Sequence, residues 1–233
     1  MRSIRLLARV IWMCFALVWV AGCSIPTFAP PVQYGVSHLP DPMSPGEGWA
    51  QLSYSIPVTD IRGEFGLTDS LALQGGTSMI GGVDLDNIMG SVGVSYQLLD
   101  GMFPISVNGG VGGGVGGHQD TNPVTTLGDG PGKPVSGSAY PIGGGYTGFK
   151  VGMRVSEHFG TFSDTLVMLS GSPDLPATLW VTERLGLQFD MGPVHLSMEM
   201  GATFFNNEDG GYIFPNLGLA IGGGWGKVAD EDS

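Results

Sequence analysis

Basic side chains are scarce in this chain and unevenly placed. Of nine Lys and Arg, three (Arg2, Arg5 and Arg9) fall in the first ten positions, whereas all 21 acidic residues follow Cys23. Beyond the leader, the remaining six basic groups stand against 21 acidic ones, a net of −15. Nucleic acid needs Lys and Arg against its phosphates, so no nucleic-acid partner is expected. Cysteine is nearly absent: Cys14 lies inside the leader, leaving Cys23 as the one thiol of a processed chain. That excludes an internal disulfide and any CxxC metal or redox site. Charge of either sign is low, 13% of residues. The leader's apolar run, Val10 to Ala21, falls short of the roughly 20 residues a spanning helix needs. No ten-residue stretch outside the leader has good helical periodicity.

What is abundant is glycine, 41 residues, alongside a 42% hydrophobic fraction. Glycine weakens helices by roughly 1 kcal/mol per site, and the hydrophobic fraction argues against disorder. Many strands with tight turns satisfy both, and the shortage of charge fits a surface that does not all face water.

The first 22 residues have the parts of an export signal: three arginines, the apolar run, then small residues. Val20-Ala21-Gly22-Cys23 resembles the bacterial lipobox. The resemblance implies a signal peptide over 1–22, cleavage before Cys23, and acylation of Cys23 with diacylglycerol and a fatty acid such as palmitate. Ser24, in place of the Asp that retains enteric lipoproteins in the inner membrane, implies delivery to the outer membrane. Between Ser24 and Gly48 come Pro26, Pro30, Pro31, Pro40, Pro42 and Pro45. Proline donates to neither helix nor sheet, so 23–48 reads as a lipidated, extended tether.

From residue 49 to 225 the signal is period-2 alternation. Val92, Val94, Tyr96 and Leu98 share one face. Val194, Leu196, Met198, Met200, Ala202 and Phe204 oppose His195, Ser197, Glu199, Gly201 and Thr203. Leu217, Leu219 and Ile221 oppose Gly218, Ala220 and Gly222. The expected strands are 49–57, 60–67, 70–79, 88–98, 103–116, 139–155, 161–171, 177–190, 193–205 and 212–225. Phe159 to Gly171 shows no clear parity, and Glu183 sits on an otherwise apolar face. The reading is an all-β, up-and-down antiparallel barrel of about ten strands, eight being the alternative, with an acidic tail at 226–233.

Glu64-Phe-Gly-Leu-Thr-Asp-Ser-Leu-Ala-Leu-Gln-Gly-Gly, and the stretch from Leu185 to Gly201 around Met191-Gly-Pro, resemble the hairpins of outer-membrane β-barrels of Gram-negative bacteria. That resemblance implies short periplasmic turns, long external loops and an exterior in contact with membrane lipid. The sequence departs from such barrels by carrying a tail after Trp225. Ten strands place both chain ends on the periplasmic side, beside the leaflet expected to hold the Cys23 lipid. Trp49, Phe65, Phe103, Phe189 and Trp225 fall near periplasmic strand ends, as an interfacial aromatic girdle would. Ser53, Ser55, Ser91, Gly93, Ser95, Ser106, Gly110, Gly112, Gly218 and Gly222 are expected to line a lumen with room for water or a small solute.

One set carries possible chemistry. His195, Ser197 and Glu199 share a strand face and supply base, nucleophile and carboxylate, similar to the residues used by outer-membrane lipid A deacylases. Side chains two apart on one strand diverge, however, so no catalysis is expected from them. Taking Met191-Gly192 as the hairpin loop places Arg184 opposite Glu199, making those two a lumenal ion pair. His38, His118 and His158 are scattered, and no metal or cofactor is expected. The leading functional reading is a lipid-anchored outer-membrane barrel with a structural or narrow-channel role and no enzymatic activity. Its partners are membrane lipids, through Cys23 and the barrel exterior; no protein partner is identified. The alternatives are a lipid-anchored periplasmic β-domain that binds a ligand or partner, and an outer-membrane lipid hydrolase.

Overall fold

The computed structural model describes residues 31–33, 37–55, 58–80, 87–116, 140–173, 175–207 and 210–226. The expected signal peptide, Cys23, His118 and most of the acidic tail lie outside them. Ten strands form: β1 (Gly48–Ser55), β2 (Val58–Gly66), β3 (Leu71–Ile80), β4 (Asn87–Leu99), β5 (Ile105–Gly116), β6 (Tyr140–Ser156), β7 (Phe159–Ser172), β8 (Leu175–Met191), β9 (Val194–Asn207) and β10 (Gly210–Trp225). Each pairs antiparallel with its chain neighbour, and β1 pairs with β10, so the sheet closes into a barrel with no free edge. The barrel therefore has ten strands, not eight.

Alternation decides what faces where. Leu52, Ile61, Leu73, Val92, Val111, Phe149, Leu169, Leu185, Met200 and Leu219 point outward, so every strand adds apolar area to the outer wall. Gln51, Ser53, Gln74, Ser106, Asn108, Thr182, Ser197 and Asn216 are buried on the inner face. One end of the barrel carries the connection 117–139. The opposite end carries short turns and the outer ends of β1 and β10. We refer to these as the long-connection end and the turn end.

The stretch 159–171 alternates strictly, with Gly160, Phe162, Asp164, Leu166, Met168 and Ser170 inward. Its parity is illegible in sequence because both faces are mixed. Inside, towards the long-connection end, Leu166 and Met168 join Met89, Ile142, Tyr146, Trp180 and Phe205 in an apolar layer. Outside, β7 presents Ser163 and Thr165, whose hydroxyls both donate to the outward carboxylate of Glu183. A carboxylate on the apolar wall is thus supplied with two donors by the neighbouring strand.

Two further expectations are corrected. The β8–β9 turn is Gly192-Pro193, not Met191-Gly192, because Met191 pairs with Val194. Gly192 has φ +70° and proline fixes φ near −65°. This is the order a type II′ hairpin needs, a positive φ first and a negative one second. Arg184 consequently stands opposite Gly201, and Glu199 opposite Gly186. The shift is two residues, so every side chain keeps its expected face. Trp49, assigned above to an interfacial girdle, instead points inward and packs edge-on against His38 at 4.2 Å and His195 at 5.8 Å between ring centres.

Candidate functional site: the arm-filled lumen

The expected free tether does not stay outside the barrel. Pro31, Val32 and Gln33, and then Ser37 to Pro40, are buried, and their neighbours are inner-wall residues. A backbone segment placed in a lumen has to satisfy its own N–H and C=O groups. This one pairs with no strand, and the wall answers with side chains. Ser37 N–H donates to Glu199 Oε2 at 2.8 Å, and Leu39 N–H donates to Gln188 Oε1 at 2.9 Å. Gln97 Nε2 donates to the Pro40 carbonyl at 2.9 Å, and Arg154 pairs with Asp41. Pro40, Pro42 and Pro45 have no N–H to satisfy, so proline lowers the number of donors that the lumen must accommodate. The arm then turns, with Glu47 N–H donating to Ser44 O and Gly46 N–H donating to Gly66 O, and enters β1.

Glycine supplies the space. A Cβ at Gly152 would lie 2.7 Å from Leu39 Cδ2, and one at Gly112 would lie 2.9 Å from Val32 Cβ. Leu39 also lies against Gly160, Tyr146 Oη covers Gly93 and Gly110, and His195 covers Gly222. The small residues expected to leave an open lumen do face inward, but room over Gly93, Gly110, Gly112 and Gly222 is taken by this arm and by larger side chains of nearby strands. A cavity of about 10 Å³ remains between Gln33, Asp60, Arg62, Gln74 and Tyr146, close to the volume one water needs.

The charges inside are arranged in rows. Lys150 lies opposite Asp164, and Asp164 opposite Arg184, in adjacent strands on the inner face. Arg184 Nη2 is 3.9 Å from Asp164 Oδ2, and its Nη1 is 3.4 Å from Glu199 Oε1. The Arg184–Glu199 contact is therefore diagonal rather than directly opposite, a separation that a long arginine side chain can span. On the other side Arg62 Nε donates to Asp60 Oδ2 at 2.9 Å, and His38 of the arm has Nε2 3.9 Å from Glu64 Oε1. Glu199 joins the two systems: one oxygen takes Arg184 of the wall and the other takes the arm backbone.

His195, Ser197 and Glu199 all face the lumen, but no relay connects them. Ser197 Oγ is buried without a hydrogen-bond partner, and so is His195 Nε2. A serine with no hydrogen bond to a base is not activated. Among the described residues no group of three His, Cys, Asp or Glu side chains could hold a metal ion. Sequence reasoning missed Gln188, Asp164 and Lys150 as partners of this site. The available clue was Val32 and Leu39, apolar side chains within a proline-rich segment that a solvated tether has no reason to carry.

No family model matches the chain, and no curated protein matches it. Three solved structures are similar in outline. The N-terminal β-barrel domain of Pseudomonas aeruginosa OprF is 13% identical, covering 77% of this chain and 96% of that one, with a TM-score of 0.38. A loop-deleted form of OmpT, an outer membrane protein of Vibrio cholerae, is 9% identical over 77% and 97%, with a TM-score of 0.36. The outer membrane channel DcaP of Acinetobacter baumannii is 10% identical over 87% and 69%, also at 0.36. The fold described here stands on its own strand pairing.

Proposed function

We propose that this chain is a lipid-anchored outer-membrane β-barrel with a structural role, closed by its own N-terminal arm and lacking enzymatic activity. The arm in the lumen is the observation that carries the reading. A channel needs a continuous wet path, and here residues 31–33 and 37–41 occupy the inner wall's recesses. The membrane location is supported by the outward apolar side chains of all ten strands, which a soluble barrel would expose to water. The lipid anchor rests on the resemblance of Val20-Ala21-Gly22-Cys23 to the lipobox, and membrane lipid is the partner proposed both there and at the outer wall. The narrow-channel alternative yields to the closed one because the room for a solute is filled. The hydrolase reading loses its support in the unpartnered hydroxyl of Ser197 and ring nitrogen of His195.

Planar-bilayer conductance tests the closed reading. The intact protein should show no steady conductance, whereas a variant lacking residues 31–41 should conduct. Steady conductance by the intact protein would overturn it. Cys23→Ala should abolish uptake of labelled palmitate, and persistence of the label would remove the anchor from the reading.

A further inference from the structure

The arm has a direction through the barrel. Val32 packs in the apolar layer with Met89, Ile142, Met168 and Phe205. Those residues lie two to four positions from the strand ends Asn87, Tyr140, Ser172 and Asn207, all at the long-connection end. Leu39 lies instead beside Gly152, Gly160 and Pro104, near the turn end where β7 and β5 begin. Asp41 is held there by Arg154, and β1 starts at the same end. Followed back from β1, the chain therefore ascends the lumen towards the long-connection end.

We propose that the processed N-terminus leaves the barrel at the long-connection end, so that the Cys23 lipid inserts into the leaflet on that side. This is the outer leaflet, since outer-membrane barrels direct their long loops outward. The inference rests on the lipid-anchored reading above, but reverses the expectation that the lipid shares a leaflet with the first and last strand ends. Chain length decides between the two leaflets. Cys23 precedes Val32 by nine residues, a reach of about 30 Å when fully extended. The lumen offers no return path, because the arm itself occupies it. The outside path must clear the rim and descend a wall of strands as long as 17 residues, roughly 40 Å at ordinary strand rise and tilt. The near leaflet is within reach and the far one is not.

Single-cysteine variants of the full chain in intact cells test this. An acylated Cys23 leaves no free thiol in the processed protein, so the wild type gives the blank for a membrane-impermeant maleimide. Thr27→Cys reports on the segment between the lipid and the arm. Asp129→Cys reports on the 117–139 connection, and Asp100→Cys on the turn between β4 and β5. Thr27→Cys should label in intact cells to the same extent as Asp129→Cys, while Asp100→Cys should label only after permeabilisation. If Thr27→Cys labels only after permeabilisation, together with Asp100→Cys, or under neither condition, the proposal is wrong. Palmitate uptake measured on the same strains separates the two ideas. Label on the wild type itself in intact cells, without palmitate uptake, sinks the lipid anchor and leaves the threaded arm standing, because Cys23 is then a free thiol on the same side as Asp129→Cys. Palmitate uptake with Thr27→Cys following Asp100→Cys sinks the threading and leaves the anchor.

Discussion

Glu199 illustrates how one side chain can serve two structures. Its carboxylate accepts the Ser37 N–H of the arm and meets the Arg184 guanidinium of the neighbouring strand, and all three residues are buried. Glu199→Gln keeps an acceptor for Ser37 but removes the charge facing Arg184. Glu199→Ala removes both. Breaking a buried pair costs about 3–5 kcal/mol when the remaining charge is stranded. Asp164, at 3.9 Å from Arg184, offsets part of that. We expect Glu199→Ala to lower the urea unfolding midpoint more than Glu199→Gln. Equal midpoints for the two variants would show that the Ser37 contact contributes nothing. Ser197→Ala should be neutral or slightly stabilising, because a buried hydroxyl without a partner is lost at no cost. A measurable drop in stability would mean that Ser197 has a partner in solution.

At the level of elements, the turn between β8 and β9 sets the pairing of a long hairpin. Gly192 holds φ +70°, where an L side chain costs about 1–2 kcal/mol. Gly192→Ala should therefore lower the unfolding free energy by that amount without moving the Met191–Val194 register, since Pro193 still fixes the second turn position. A register change, read from cross-linking of cysteines placed at Gln188 and Ser197, would contradict this account. The arm is the other element whose position is directly testable. A Cβ at Gly112 would lie 2.8 Å from Val32 O, 2.9 Å from Gly90 O and 2.9 Å from Val32 Cβ, closer than backbone and side chain can approach without moving. Gly112→Ala should therefore displace the arm or the wall and lower the urea midpoint. An unchanged midpoint would argue that the arm is not docked at this depth.

For the whole molecule, barrel and arm are separable in principle, since the strand pairing closes without the arm. Deleting 31–41 should leave a barrel that still migrates faster unboiled than boiled, but with a lower urea midpoint, because Leu39 and Val32 leave their glycine-lined recesses empty and Gln188 loses a donor. Combining the deletion with Glu199→Ala should be less than additive, as both remove the Ser37 contact. Full additivity would show that Glu199 acts only on Arg184. Loss of the gel shift in the deletion would instead make the arm a requirement for closure.

Period-2 alternation was enough for the fold: each clean strand from 88–98 to 212–225 carried its own face assignment, because burial in a closed sheet repeats every second residue whatever the neighbour is. The charge imbalance, the absence of helical periodicity and the lipobox-like residues ending at Cys23 were equally local. The parity of β7 was not legible, because its inner face joins an apolar layer while its outer face supplies hydroxyls to Glu183, a compensation visible only once β8 lies beside it. The diagonal contact of Arg184 with Glu199 depended on which two residues make the turn, and that required reading Gly192-Pro193 as a backbone-dihedral pair. Above all, sequence determined that residues 31–47 could not pair in a sheet, since their prolines lack donors. Only the tertiary structure decided that residues 31–33 and 37–40 lie inside the barrel. A lumen lined by Gly112, Gly152 and Gly160 leaves volume, and the closed wall holds Gln188, Gln97 and Glu199 where the arm's remaining N–H and C=O groups need them.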